Sequence, residues 1–232
     1  EICKQLILCK PKKIVIIDQS EYNIYLLQQK ITSKKIKTYL LDINNTESLK
    51  EIIKENNIDF IFHAAAYKHV KLLEKNHLSA INNNLIGTLS VLKAIENLKI
   101  NLLIISTDKA VFPKNILGIT KRAAEIIAIN YSKKKTYKKS KINIVRFGNV
   151  FGSQGSAIET FVNQIKNRKN ITITSFKMKR YFMSIREACN LVIQSSVLDF
   201  RNQIFILEMG KQLKIINIIK KIMIFYNVNF DN

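Results

Sequence analysis

The chain has 232 residues, of which 47% are hydrophobic, and a formal net charge of +21. This length suffices for one α/β domain with a substantial core, and no apolar run approaches the ~18 residues that a membrane-spanning helix needs. The three cysteines have neither metal-binding nor disulfide-framework spacing, so we expect reduced, inert thiols and no metal site.

Short apolar segments, typical of buried parallel strands, alternate with segments of helical periodicity. The predicted strands are residues 13–18, 37–42, 59–63, 101–105 and 142–147. The predicted helices are residues 1–9, 20–30, 48–56, 78–98 and 120–132. This order predicts βαβ units and a doubly wound, Rossmann-like parallel sheet, whose ligands bind at the carboxyl ends of the strands.

The predicted strands and helices do not include the elements with which a dinucleotide-binding fold begins. Such a fold opens with a strand and a Gly-rich loop whose backbone N–H groups reach a pyrophosphate, but here no glycine precedes Gly87. Asp18 nevertheless ends a strand, where the acid that binds the adenosine ribose is expected; a helix N-cap is its alternative role. We therefore interpret the sequence as a fragment that lacks the first strand and the loop.

Lysines scattered through the chain supply nearly all of the positive charge. The densest run, residues 133–141 (KKKTYKKSK), lies between a predicted helix and a predicted strand and is interpreted as a solvated loop. Aromatic residues are not interleaved with basic ones as base-stacking platforms require, so we predict no nucleic-acid partner. A weak attraction to acidic ligands or to an anionic membrane surface stays open.

The most informative stretch is STDKAVFPKNILGITKR, residues 106–122, which follows a predicted strand. It places an acid and a base side by side, Asp108 and Lys109, at the carboxyl end of that strand. Groups of different acidity held together in this way serve general acid–base chemistry. A second lysine, Lys121, lies one helical turn after Leu117.

Six segments in chain order carry a family resemblance: IIDQSE (16–21), HAAAYKHVKLLE (63–74), NNNLIGT (82–88), residues 106–122, VRFGNVFGSQGSAI (145–158) and KRYFMSIREA (179–188). They resemble the capsular polysaccharide biosynthesis proteins of the extended short-chain dehydrogenase/reductase superfamily, nucleoside-diphosphate-sugar 4,6-dehydratases that act on UDP-N-acetylglucosamine. The resemblance implies a Rossmann-like domain at residues 1–150. It also implies a small C-terminal lobe of substrate-binding segments, residues 151–232, interleaved with the last strands.

The same resemblance implies the ligands and the setting of the protein. NAD or NADP is expected as cofactor, with NAD favoured because no arginine follows Asp18 closely, and a UDP-sugar is expected as substrate. A homo-oligomer is expected as well. The implied location is the cytoplasm, or the cytoplasmic face of the inner membrane through an N-terminal region that this sequence lacks.

By resemblance, the catalytic residues are Lys109 as base at carbon 5 of the sugar, Asp108 as acid at carbon 6, Thr107 on the oxygen at carbon 4, and Lys121 on the nicotinamide ribose. Leu117 stands where enzymes of this kind usually carry a tyrosine. Since leucine cannot ionise, the proton from carbon 4 is expected to pass to Asp108, Lys109 or water. A degenerate, inactive copy is the alternative.

Further residues are assigned by the same resemblance. The expected cofactor-binding residues are Asp18, Asp42, Ala64, Ala65, Ala66, Ser106 and Lys121. The expected substrate-binding residues are Lys68, Asn149, Ser153, Ser156 and Arg180. Glu159 departs from the family pattern, which usually has proline there. Two rival functions stay open, a UDP-sugar 4-epimerase and a non-catalytic nucleotide-binding module of the same fold.

Overall fold

The computed structural model describes residues 1–153, 155–173 and 175–228. Its first elements are α1 (Ile2–Leu8), β1 (Ile14–Asp18), α2 (Glu21–Lys30), β2 (Ile36–Leu40), α3 (Thr46–Glu55), β3 (Phe60–His63), α4 (Val70–Leu73), α5 (His77–Ala80), α6 (Gly87–Ala94), β4 (Asn101–Thr107), α7 (Ile116–Ser132) and β5 (Ile142–Phe147). The remaining elements are β6 (Asn149–Phe151), α8 (Ala157–Lys166), β7 (Lys179–Arg180), β8 (Phe182–Ser184), α9 (Ile185–Val197), β9 (Ile204–Ile206), β10 (Leu213–Lys214) and α10 (Ile215–Phe225).

Parallel strands form the framework, as the alternating pattern predicted. β1 and β2 pair in parallel, and a four-stranded sheet has the order β3-β4-β5-β9, with β3 parallel to β4 and β5 parallel to β9. In a doubly wound sheet of order 3-2-1-4-5-6, the pieces β2-β1 and β3-β4-β5 correspond to strands 3-2 and 4-5-6, with position 1 between them. The predicted Rossmann-like α/β class is confirmed.

An apolar cluster between the four-stranded sheet and its helices fixes the strand ends that matter for the site. β4 and β5 contribute buried residues, and α3 and α6 cover them through Leu49, Ile53, Leu92 and Ile95. These side chains follow the i, i+3, i+4 spacing of one helix face, which is why the amphipathic pattern predicted both helices.

The predicted helix at residues 78–98 runs without a break from α5 to α6, but it is not α-helical throughout and it ends early. α5 is followed by a π-helical segment, Ile81–Ile86, and α6 ends at Ala94. In the π-helical segment the amides of Asn83 and Asn84 are buried, and Asn84 bonds to a neighbouring loop and to α7. Periodicity of apolar residues does not report such polar contacts.

The chain divides into two compact units. The first comprises Glu1–Arg146 and Val192–Ile206, and the second comprises Phe147–Leu191 and the segment that begins at Leu207. The predicted boundary at residue 150 lies inside β6. Within the second unit, β6 pairs in parallel with β8, β7 pairs antiparallel with β10, and α8 and α10 share a small apolar core. In the described part of the chain, no helix combines the length and the hydropathy needed to cross a bilayer.

Candidate active site

The end of β4 brings three of the predicted catalytic residues into one hydrogen-bonded group. A single turn of 3₁₀ helix, Asp108–Ala110, follows the strand, and the Thr107 hydroxyl oxygen accepts from the backbone N–H of Lys109 at 3.4 Å. Thr107 donates to Asp108 Oδ1 at 2.9 Å, and Lys109 Nζ donates to the same oxygen at 3.0 Å. One carboxylate oxygen therefore accepts hydrogen bonds from both neighbours. Solvent screens the ion pair only partly, because both side chains are about one-third exposed or less.

Helix α7 packs directly against this turn through a glycine. A Cβ on Gly118 would lie 2.5 Å from the carbonyl oxygen of Lys109 and 3.2 Å from the Cα of Pro113. The helix starts four residues earlier than predicted, because Asn115 caps it by accepting from Gly118 N at 2.9 Å. Only a residue without a side chain permits this approach, so Gly118 fixes the distance between α7 and Lys109.

Lys121 lies on the buried face of α7, where its charge affects the neighbouring His63. Burial lowers the pKa of Lys121 to about 8, although Glu125, one turn further along the helix, opposes this change. Burial, with a smaller contribution from the charge of Lys121, lowers the pKa of His63 to about 3. His63 ends β3 and is thus neutral near pH 7.

The hydrogen bonds of His63 determine which ring nitrogen carries the proton. Thr88 donates its hydroxyl proton to the carbonyl oxygen of Asn84 at 2.7 Å, so it must accept from His63 Nε2 at 2.9 Å. Nδ1 is then the unprotonated nitrogen. Asn84 in turn holds the loop after β3, because its amide bonds both the N–H and the carbonyl of Tyr67.

A buried charged cluster lies behind the strand end. Glu125 accepts from Ser106 Oγ at 2.5 Å and from Arg146 Nε and Nη2 at 2.8 and 2.5 Å, while the partly exposed Arg122 donates from the side at 3.2 Å. Burial alone raises the pKa of Glu125, but the bonds from Arg146 and Ser106 outweigh it and hold the pKa below its usual range. The cluster joins β4, β5 and α7 at the level of the candidate site.

Leu117 does not face an open site. It is buried in an apolar cluster with Leu73 of α4 and Ala80 of α5, against which Val70 and Ile116 also pack. The position at which tyrosine was expected by resemblance is therefore part of the packing between α7 and the two short helices.

The predicted cofactor residues lie at the ends of β1, β2, β3 and β4. Asp18 accepts from Ser20 N at 2.8 Å and from Asn23 Nδ2 at 3.2 Å, but it is not the N-cap of α2; that role belongs to Ser20, which accepts from Asn23 N at 3.3 Å. Asp42 lies in the loop after β2 and accepts from Asn44 N at 2.9 Å. The loop after β3 contains Ala64, Ala65 and Ala66, followed by the exposed Lys68. The Ser106 hydroxyl donates to Glu125.

The other predicted substrate residues belong to the second unit. Asn149 lies in β6, and its backbone N–H donates to the carbonyl of Tyr181, the residue that follows Arg180 of β7, at 3.2 Å. Ser153 donates to Val150 O, and Ser156 caps α8 by accepting from Glu159 N. The Glu159 carboxylate accepts from Gly155 N at 2.5 Å, so a negatively charged side chain already uses this backbone donor of the loop.

Three residues of the site were missed in the sequence: His63, Glu125 and Arg146. Each left a signal. Arg146 is the one charged residue in the apolar strand Ile142–Phe147, and an arginine in a buried strand requires a buried acid. Glu125 follows Lys121 by four residues and thus lies on the same helix face. His63 is the last residue of the predicted strand at residues 59–63, and this position at the ligand-binding edge of the sheet was its signal.

The parallel sheet with its covering helices, and the group of Thr107, Asp108 and Lys109 at the end of β4, are those of a Rossmann-like domain of the extended short-chain dehydrogenase/reductase type. The sequence profile of the family described as "Polysaccharide biosynthesis protein" matches residues 1–232. The chain belongs to this family, and the predicted family resemblance is confirmed.

Individual relatives agree on the family but differ in named activity. The chain is 38% identical to the capsular polysaccharide biosynthesis protein CapD of Staphylococcus aureus, over 96% of the chain and 38% of CapD. It is 35% identical to the UDP-glucose 4-epimerase of Rickettsia canadensis, over 84% of the chain and 57% of that enzyme. The solved structure of DesIV, a dTDP-glucose 4,6-dehydratase of Streptomyces venezuelae with NAD and TYD bound, matches with a TM-score of 0.89 at 16% identity, over 99% of this chain and 78% of that one. That last likeness concerns the fold alone.

Proposed function

We propose that the protein containing this chain is an NAD-dependent nucleotide-sugar 4,6-dehydratase that acts on a UDP-sugar, UDP-N-acetylglucosamine being the substrate that the resemblance implies. One observation carries the proposal: Asp108 Oδ1 accepts from both Lys109 Nζ and Thr107 Oγ1 at the carboxyl end of β4. An epimerase that only removes and returns hydride at carbon 4 has no use for such an acid–base pair.

The ion pair and the reactive pair differ by one proton. Elimination of water needs a neutral lysine to take the carbon 5 proton and a protonated carboxyl group to release the carbon 6 hydroxyl as water. Transfer of one proton from Lys109 Nζ to Asp108 Oδ1, across 3.0 Å, converts the observed ion pair into these two forms. After the elimination, Lys109 holds the carbon 5 proton and Asp108 is again a carboxylate, so the ion pair is restored.

Thr107 offers a route for the carbon 4 proton that avoids the missing tyrosine. Its hydroxyl donates to Asp108 and has a lone pair left for a substrate hydroxyl. While Asp108 is a carboxylate, the carbon 4 proton can reach it through Thr107; that proton then makes the acid for carbon 6, and Lys109 loses its own proton to water. If Lys109 has already given its proton to Asp108, the carbon 4 proton passes to water instead. The burial of Leu117 in an apolar cluster is consistent with a mechanism in which this position takes no part.

The residues of the first unit fit a dinucleotide. Among the residues that the structure describes, each carboxylate oxygen of Asp18 has one hydrogen-bond partner, which leaves a lone pair for a ribose hydroxyl. The charge of Asp18 disfavours a 2′-phosphate, so NAD is proposed over NADP. The small side chains of Ala64, Ala65 and Ala66 permit close approach, and the Lys121 ammonium supplies positive charge beside the ribose. Bound NAD would supply the acceptor for hydride.

The test is incubation of the purified protein with NAD and UDP-N-acetylglucosamine, with the products separated by chromatography and identified by mass spectrometry. A 4-keto-6-deoxy sugar nucleotide is expected. Lys109→Ala should abolish it, whereas Lys114→Ala, which removes an exposed lysine five residues further along the same loop, should not. Undiminished turnover by Lys109→Ala would refute the assigned base.

A 4-epimerase is the second candidate, favoured by the 35% identity to UDP-glucose 4-epimerases over 84% of the chain. In the same assay it would yield the carbon 4 epimer, UDP-N-acetylgalactosamine or, from UDP-glucose, UDP-galactose, with no loss of water. Nucleotide binding without turnover of either sugar would instead indicate a non-catalytic module.

A further inference from the structure

The edge of the first unit opposite the candidate site collects basic residues. Lysine pairs at residues 12–13 and 34–35 precede β1 and β2, Lys99 precedes β4, the run at residues 133–141 precedes β5, and Arg201 precedes β9. Because paired parallel strands begin at the same edge of a sheet, the basic residues before β1 and β2 are neighbours in space, and so are those before β4, β5 and β9. We call this set the basic edge.

Hydrogen bonds between loops hold the basic edge together. Asn97 N donates to Thr136 O at 3.2 Å, which joins the loop before β4 to the lysine run before β5. Arg201 Nη1 donates to Lys138 O at 2.6 Å, which joins the loop before β9 to the same run. These two hydrogen bonds hold the loops before β4, β5 and β9 next to one another.

Apolar side chains are exposed at the border of this charge. Val197 at the end of α9 is 79% exposed, and Leu198 and Phe200 are 43% and 56% exposed. Asp199, between them, pairs with Lys141 of the lysine run. This ion pair and the carbonyl of Phe200, which accepts from Asn143 Nδ2 at 2.9 Å, anchor the segment. Exposed aliphatic and aromatic side chains beside clustered lysines are the composition of a surface that rests on a bilayer.

We propose that the basic edge, with Val197, Leu198 and Phe200, docks on the surface of an anionic lipid bilayer. Lysines near such a surface attract its phosphate and carboxylate groups, and apolar side chains enter the boundary between headgroups and acyl chains. Bilayer docking would leave the carboxyl ends of the strands, with Asp108 and Lys109, facing the aqueous phase.

Two tyrosines of the edge favour lipid over nucleic acid. Tyr137 is 1% exposed and donates to Leu92 O, and the ring of Tyr131 is covered by the ammonium group of Lys134 at 3.5 Å. Neither ring is therefore presented for stacking on a base, which single-stranded nucleic acids require for sequence-tolerant binding.

The proposal is tested by flotation of the purified protein with phosphatidylcholine vesicles that contain or lack phosphatidylglycerol. Binding is expected only to the anionic vesicles, and high salt should abolish it. The variant Lys133→Glu/Lys135→Glu/Lys139→Glu should weaken binding at least about 100-fold, since each surface lysine contributes about fivefold. The matched variant Lys71→Glu/Lys75→Glu/Lys114→Glu makes the same charge change at exposed lysines in the segments that follow β3 and β4, and should bind as the unmodified chain does.

The apolar part of the surface has its own test. Phe200→Ser should weaken vesicle binding by about 10-fold, whereas Phe112→Ser, which removes an 82% exposed phenylalanine after β4, should not. Equal binding to neutral and anionic vesicles, or equal losses in the two triple variants, would overturn the proposal. So would tighter binding to a DNA duplex than to anionic vesicles, measured by fluorescence anisotropy and lost in the first triple variant.

Discussion

Replacement of Glu125 by glutamine should destabilise the first unit severely while leaving its shape unchanged. Glutamine preserves volume but removes the charge that the Arg146 guanidinium meets through two hydrogen bonds, and both side chains are nearly inaccessible to solvent. Leaving one member of a buried pair without its partner costs about 3–5 kcal/mol. For a chain of this size that corresponds to a fall in melting temperature of roughly 6–20 °C.

The effect should depend on pH in a defined direction. The pKa of Glu125 is lower in the folded state than its usual value of 4.5. A depressed carboxyl pKa contributes stability that is present above the unfolded value and is lost as pH falls through the folded value. The difference between Glu125→Gln and the unmodified chain should therefore be full at pH 7 and shrink in acid below pH 4.5.

Thermal and urea denaturation followed by circular dichroism provide the measurement. Arg122→Gln is the matched control, because it removes a partly exposed donor to the same carboxylate and should cost about 1 kcal/mol or less. A loss below about 1 kcal/mol for Glu125→Gln, or a loss equal to that of Arg122→Gln, would refute the view that a buried charge pair joins β4, β5 and α7.

Two further predictions concern the site. Gly118→Ala should reduce kcat/KM by on the order of 100-fold, because its Cβ would displace the Lys109 backbone. Gly87→Ala is the control: the nearest atom to its Cβ is the flexible end of the Ile43 side chain, so turnover should be retained. Similar kinetics for both variants would contradict this prediction. NAD affinity, measured by fluorescence, should fall as pH rises through about 8, because Lys121 then loses its charge. Lys121→Arg should remove that alkaline limb, and persistence of the limb would assign it to another group.

Much of the fold was predictable because local patterns report it directly. The strand Ile142–Phe147 has the predicted bounds, and β1 and β3 differ from prediction by one residue at their starts. Apolar, β-branched runs between helical segments leave few alternatives to a parallel sheet. Asp108 and Lys109 could likewise be placed at a strand end, since adjacency in sequence guarantees adjacency in space.

The remaining features depend on contacts between segments that are distant in sequence. The π-helical segment Ile81–Ile86 is held by Asn84 reaching the loop after β3, 17 residues away, and α7. Glu125 meets Arg146 across 21 residues, and only the packing of α7 on the sheet brings them together. Single-sequence patterns carry no distance information of this kind, so the partners of a buried charge could be suspected but not named.

The burial of Leu117 bears most strongly on how the proposed chemistry can work. Leu117 packs in an apolar cluster with Leu73 and Ala80, so this position carries no proton-bearing group in the chain. The chain instead gathers its proton-bearing groups one strand end away, where Thr107, Asp108 and Lys109 share a single carboxylate oxygen. Proton transfer at carbon 4 and elimination across carbons 5 and 6 would then draw on the same carboxylate. The use of one carboxylate for both steps suits a dehydratase, which needs both, better than an epimerase, which needs only the proton transfer at carbon 4.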